Sequence, residues 1–164
     1  MIRETNYPAL LTREQAAQRC KVERMLGGTV VFTNGVFDLL HRGHLEYLCQ
    51  ARELGTVLII GLNSDESARR LKGSKRPLMN QEDRVLALTM LRCVDHVVVF
   101  DEDTPKELIE ALTPDILVKG GDYQPHEVAG AGHVESHGGK VVILPFRDGY
   151  STSKLIETIV ERYA

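Results

Sequence analysis

The chain has 164 residues, 43% hydrophobic and 26% charged, which suits one domain with a single buried core and excludes a disordered chain. Its 20 basic and 23 acidic side chains give a net charge of −3, so no basic field is available to hold a polyanion, and a general nucleic-acid binder is excluded. Three cysteines, Cys20, Cys49 and Cys93, lack metal or redox spacing, and neither a leader-like core in Met1–Tyr7 nor a membrane-length apolar run is present, so a soluble cytoplasmic protein with reduced thiols is expected.

Thr12, followed by Glu14 and Gln15, opens a helix to about Met25, which Gly27 and Gly28 close. Residues 1–28 read as an N-terminal helical extension that packs on the domain or on a partner. Thr29–Phe32 is a short β-branched and apolar run, as in a buried strand. A helix over 44–54 ends at Gly55. Val57–Leu62 is a near-continuous apolar run, the pattern of a central parallel strand covered on both faces. A helix over 64–71 leads to the basic loop Lys72–Pro77, and Asn80 caps a helix running to about Arg92. Val97–Phe100 is a third strand, and Pro105 takes the first position of a helix from Thr104 to Leu112. Ile116–Lys119 forms a fourth strand, residues 126–137 a helix despite Gly130 and Gly132, and Val141–Leu144 a fifth strand. Ser151, Thr152 and Ser153 open a last helix to about Arg162. Strands alternating with helices imply βαβ units in an α/β fold, a doubly wound parallel five-stranded sheet in a single domain over residues 1–164.

In such a sheet, ligands gather outside the carboxyl ends of the strands. Those ends carry the His41/His44 loop, Asn63, the turn Lys119-Gly120-Gly121-Asp122 and the Ser151-Thr152-Ser153 turn. His41 and His44 are three apart at a helix start, where unpaired N–H groups attract phosphate, and Gly43 between them lets a ligand approach the backbone. A helix cap or a metal pair are the other readings of the two histidines, although two ligands without a third make a poor zinc site. No P-loop is present, and Gly130-Ala131-Gly132 is an incomplete dinucleotide fingerprint with no strand before it. His126, His133 and His137 lie near one helix face, as surface histidines or as metal ligands, the former reading being favoured.

The run Gly35-Val36-Phe37-Asp38-Leu39-Leu40-His41-Arg42-Gly43-His44 resembles the His-x-Gly-His signature of the cytidylyltransferase-like nucleotidyltransferases. Arg76-Pro77-Leu78 with Asn80–Arg84, then Leu117–Tyr123, then Gly149–Ile156 resemble further blocks of the family in order. Within it, the chain is most similar to the adenylyltransferase domain acting on D-glycero-β-D-manno-heptose 1-phosphate, which often follows a sugar-kinase domain, and the resemblance implies the stand-alone version. Val36 and Ser153 depart from the cysteine and threonine usual at those places, keeping volume and hydroxyl.

The resemblance implies a Rossmann-like fold of the His-x-Gly-His type, ATP as substrate, Mg²⁺, and a homo-oligomer such as a dimer, with neither nucleic acid nor membrane as partner. It implies His41, His44 and Lys72 as catalytic groups. Asn34, Gly35, Phe37, Lys119, Gly121, Asp122, Ser151, Thr152 and Ser153 would line the nucleotide and sugar sites. Arg84 would balance phosphate charge, or else ion-pair on a helix surface. Asp38 would orient a histidine, help hold Mg²⁺, or cap its own loop. The implied reaction moves AMP to a heptose 1-phosphate, giving the ADP-heptose of lipopolysaccharide core biosynthesis. Two alternatives stand beside it: a cytidylyltransferase for glycerol 3-phosphate or a similar polyol phosphate, and a silent nucleotide-binding domain.

Overall fold

The computed structural model describes residues 9–145 and 149–163; Met1–Tyr7, read above for a leader, lie outside the described residues. Helix α1 (Arg13–Met25) starts at Thr12, whose hydroxyl accepts from Gln15 N–H while the Gln15 side chain accepts from Thr12 N–H, a reciprocal capping box. The chain then alternates β1 (Val30–Gly35), α2 (Arg42–Glu53), β2 (Val57–Asn63), α3 (Asp65–Lys72), α4 (Gln81–Thr89) and β3 (His96–Phe100). It continues through α5 (Lys106–Leu112), β4 (Ile116–Gly120), α6 (Ala131–Ser136), β5 (Lys140–Leu144) and α7 (Thr152–Tyr163). Asn80 caps α4 through its side-chain oxygen, as its position suggests.

All five strands are parallel, in the order β3-β2-β1-β4-β5. Alternate residues feed two cores. Val30, Phe32, Val57, Ile59, Val98 and Leu117 pack against α1, α5 and α6, whereas Val31, Leu58, Ile60, Leu62 and Val118 pack against α2 and α4. Every residue of β2 is buried, which explains its unbroken apolar run. The N-terminal helix is part of this structure: Ala16 and Cys20 belong to the first core, and Leu10 bridges to Val97 of β3.

Strand order reverses at β1, so the crevice of a doubly wound sheet falls between β1 and β4. These two strands pair only at Val31↔Ile116 and Phe32↔Leu117, while β1 stays paired with β2 as far as Gly35. Beyond Leu117 the strands part, and their carboxyl ends open toward the loops that carry the polar residues.

Two expectations are corrected. The helix expected over 126–137 is a 3₁₀ turn, Pro125–Glu127, followed by α6. Between them Gly130 is left-handed at φ 87°, and a Cβ there would lie 2.8 Å from Ile109 Cδ1, so the chain turns where a helix would continue. Pro105 caps α5 and does not occupy its first position. Among the described residues no helix is long and apolar enough to cross a membrane.

Candidate functional site

At the end of β1 the chain makes a sharp loop in which Phe37 adopts φ 45°, a conformation side chains seldom take. The Phe37 ring turns inward, 6% exposed, and meets the His44 ring edge-on at 5.4 Å. His41 is the N-cap of α2, its Nδ1 accepting a long 3.4 Å bond from His44 N–H. An accepting Nδ1 places the ring proton of the neutral tautomer on Nε2, leaving that group to donate to a ligand. The two imidazoles stack at 3.8 Å between centroids and 19° between planes. Gly43 permits this closeness, since a Cβ there would come within 3.1 Å of His41 Nδ1 and 3.2 Å of Tyr150 Cβ.

Burial lowers the pKa of His41 and pushes that of His44 down to about 4, where the neighbouring His41 adds to the effect and the Leu39 backbone opposes it. The His44 Nδ1 is buried without a hydrogen-bond partner among the described residues. Both rings are therefore neutral at pH 7 in the free protein, poised as N–H donors and not as standing cations. Standing positive charge comes from two lysines. Lys119, on β4, has its pKa lowered by burial and then by the nearby Lys72, and its Nζ lies 5.8 Å from the centroid of the Tyr123 ring. Among the described residues, neither Lys72 nor Lys119 has a carboxylate within ion-pairing distance. Two cations without a carboxylate partner beside neutral imidazole donors make a site suited to an anion.

These groups enclose a cavity of about 660 Å³ at the β1/β4 crevice, the size of a small-ligand site. It brings together Asn34, Gly35, Phe37, Asp38, His41, His44, Lys72 and Lys119, and with them Ser151, Thr152 and Ser153 at the start of α7. Ser151 Oγ accepts from Lys154 N–H, and Thr152 Oγ1 donates to the Leu39 carbonyl, fastening the first turn of α7 to the histidine loop. Two helix N-termini, of α2 and α7, thus face one cavity.

Three residues singled out in the sequence do not line it. Arg84 is fully buried behind the site: Nη1 donates to Val36 O at 2.7 Å and Asn63 O at 2.9 Å, Nε to Met79 O, and Nη2 pairs with Asp65 at 2.8 Å. It neither lines the cavity nor reaches the surface, because the face of α4 that bears it turns inward onto loop carbonyls. Gly121 forms the turn after β4 at φ 114°, and Asp122 beside it is exposed. Conversely Tyr47, Arg76, the Asp103–Pro105 segment, Tyr123 and Tyr150 line the cavity. They come from places far apart in sequence; Arg76, Tyr123 and Tyr150 lie within blocks quoted above, whereas Tyr47 and the Asp103–Pro105 segment carried no signal.

Asp38 is 4% exposed and accepts from Arg76 Nε at 2.6 Å and from Leu78 and Met79 N–H at 2.8 and 2.9 Å. Burial works to raise its pKa, and these bonds outweigh burial and hold it below the usual carboxylate range. This is the loop-capping arrangement, and it fastens segment 76–79 over the cavity. Among the described residues, the only other carboxylate lining the cavity, Asp103, pairs with Arg70 Nε at 2.7 Å. With both engaged, and with no group of three metal-ligating side chains among the described residues, these described donors do not fit a resident metal ion. The histidines on α6 do not alter this. His133 Nε2 bonds Thr113 Oγ1 at 3.0 Å, and its ring lies 4.2 Å from that of His137.

The cytidylyltransferase-like family model matches residues 32–158. The bifunctional protein HldE of Syntrophotalea carbinolica is 58% identical over 151 residues, covering 92% of this chain and 31% of that protein. Its counterpart from Pectobacterium carotovorum subsp. carotovorum is 51% identical over 150 residues with the same coverage. The chain thus spans about 31% of the length of these curated relatives. Among solved structures, the lipopolysaccharide core biosynthesis protein from Thermoplasma volcanium superposes with a TM-score of 0.61 at 27% identity, over 76% of this chain and 100% of that one.

Proposed function

The chain belongs to the cytidylyltransferase-like family, and on that footing we propose that it is an adenylyltransferase moving AMP from ATP to a heptose 1-phosphate, giving ADP-heptose and pyrophosphate. The observation that carries the nucleotidyl-transfer reading is the stacked His41–His44 pair facing a cavity with unpaired Lys72 and Lys119. The choice of ATP and a heptose rests on the subfamily blocks Lys119–Tyr123 and Tyr150–Ser153 and on the identity to the bifunctional relatives. The resemblance further suggests a cytoplasmic homo-oligomer.

The triphosphate lies across the N-termini of α2 and α7, where backbone N–H groups and helix dipoles favour anions. His41 and His44 donate to its oxygens, and its negative charge raises their pKa, so bound nucleotide draws protons onto the pair. Lys72 and Lys119 offset the remaining charge. A sugar 1-phosphate oxygen attacks the α-phosphorus in line. The new P–O bond forms as the bond to the β-phosphate oxygen breaks, and pyrophosphate departs with the electron pair. The attacking phosphate is already ionised, so no general base is required. Catalysis consists of positioning and of stabilising spread negative charge. Since the described cavity carboxylates, Asp38 and Asp103, are both engaged, Mg²⁺ belongs in this scheme to the ATP as substrate.

The test is pyrophosphate release with Mg²⁺ and heptose 1-phosphate, offering ATP and CTP in parallel. Release with ATP alone supports the reading. Release with CTP and glycerol 3-phosphate instead would replace it with the cytidylyltransferase, and nucleotide binding without release under any pairing would make the domain silent.

A further inference from the structure

The two less buried cysteines meet across an element boundary remote from the cavity. Cys49 lies exposed on α2, and Cys93 lies half-buried in the α4–β3 connection against the second core. The two thiols stand near enough for Cys49 to raise the pKa of Cys93. An independent contact fixes the same junction. Arg52, one turn beyond Cys49 on α2, pairs through Nε with Asp95 Oδ2 at 2.7 Å, and Asp95 stands two residues after Cys93. The same carboxylate oxygen accepts from Leu58 N–H at 2.7 Å, so Asp95 is held by β2 as well. The spacing of the cysteines in sequence gave no hint of this pairing.

We propose that Cys49 and Cys93 form a dithiol site that a hydroperoxide converts into an intrachain disulfide, stapling α2 to the α4–β3 connection. Burial first, and then Cys49, push the Cys93 thiol up to about 11, so Cys93 is the protonated partner and exposed Cys49 the sulfur an oxidant reaches. The Cys49 thiolate attacks one oxygen of hydrogen peroxide and the O–O bond breaks, leaving a sulfenic acid and hydroxide. Cys93, losing its proton, attacks the Cys49 sulfur; the S–S bond forms, the S–O bond breaks, and hydroxide leaves. Two thiols are oxidised, one peroxide is reduced, and two waters result. The bond braces the helix whose first turn carries His44 without touching the cavity.

The experiment treats the full chain with hydrogen peroxide, blocks free thiols by alkylation, and reads intact and peptide masses. Expected is the loss of two hydrogens, a Cys49–Cys93 linked peptide pair, Cys20 unaltered, reversal by a thiol reductant, and a raised unfolding midpoint in the oxidised form. Closure should speed as pH rises toward the Cys93 value. In Cys93→Ser, a Cys49 sulfenic acid should persist long enough to be trapped by dimedone, and in Cys49→Ser, Cys93 should stay reduced. Cys93 fully alkylated while Cys49 carries two or three oxygens, or a disulfide formed only between chains, would overturn the proposal. None of these readouts depends on the reaction catalysed.

Discussion

Replacing Arg84 by Met keeps much of the side-chain volume and removes the guanidinium on which three loops converge. Four contacts are lost: the carbonyls of Val36, Asn63 and Met79, and the Asp65 carboxylate. Bonds to a charged donor contribute about 1.5–3 kcal/mol each, and a buried acceptor left unsatisfied costs about 1–3 kcal/mol. Against this stands the relief of no longer burying a cation, which makes the net far smaller than the sum. Breaking a buried pair by removing one partner costs about 3–5 kcal/mol, so a loss of about 4 kcal/mol is expected. For a domain of this size, each kcal/mol moves the melting temperature by about 2–4 °C, giving a fall of about 8–16 °C. Urea unfolding followed by circular dichroism checks it, with the midpoint falling and the slope unchanged. Arg84→Lys, retaining the charge but not the fork, should fall between the two. Because Val36 and Met79 belong to the loops framing the cavity, KM for ATP should rise in the surviving fold at low temperature. A loss under about 1 kcal/mol for Arg84→Met would refute the view that this guanidinium holds the loops.

His41→Ala and His44→Ala should each lower turnover by about 10²-fold or more, as for loss of a donor to a developing charge, with circular dichroism unchanged; near-normal turnover in both would remove the histidines from the chemistry. Below neutrality, stability should fall through His44. Its folded value, about 4, lies below the unfolded one of about 6.5, so the unfolded chain binds more protons between the two. The stabilisation is complete above about pH 6.5 and is lost as pH falls toward 4, at most about 3 kcal/mol, and His44→Gln should flatten that part of the stability–pH curve. Tyr47→Phe breaks the buried 2.6 Å bond between Tyr47 OH and Thr33 Oγ1, and should cost about 1–2 kcal/mol in chemical denaturation.

Sheet and site were legible to different depths, for physical reasons. A strand buried on both faces writes itself as an apolar run, so β2 and its neighbours could be read directly, and side-chain caps such as Thr12 and Asn80 mark helix starts locally. The 126–137 segment misled because Gly130 owes its conformation to Ile109 of α5, a neighbour absent from any local window. The histidine loop was readable because its chemistry is contiguous. The burial of Arg84 was not legible because an arginine on a short helix gives no sign of which way it faces, and three of its partners are backbone carbonyls, which have no sequence identity. Tyr47 and Asp103 join the cavity through the fold alone.

Helix α7 contributes no buried residue, yet its first turn supplies Ser151–Ser153 to the cavity wall. Local opening of such a helix requires little apolar exposure, so its amides should exchange with solvent well before those of β1 or β2. A ligand that needs the first turn formed then acts as a latch. Each bound molecule stabilises that turn by the free energy of its own binding, and exchange there slows in step with ligand concentration. Affinity at this wall and the helix–coil balance of the chain's last turns are therefore one thermodynamic quantity, tunable from residues that never meet the substrate.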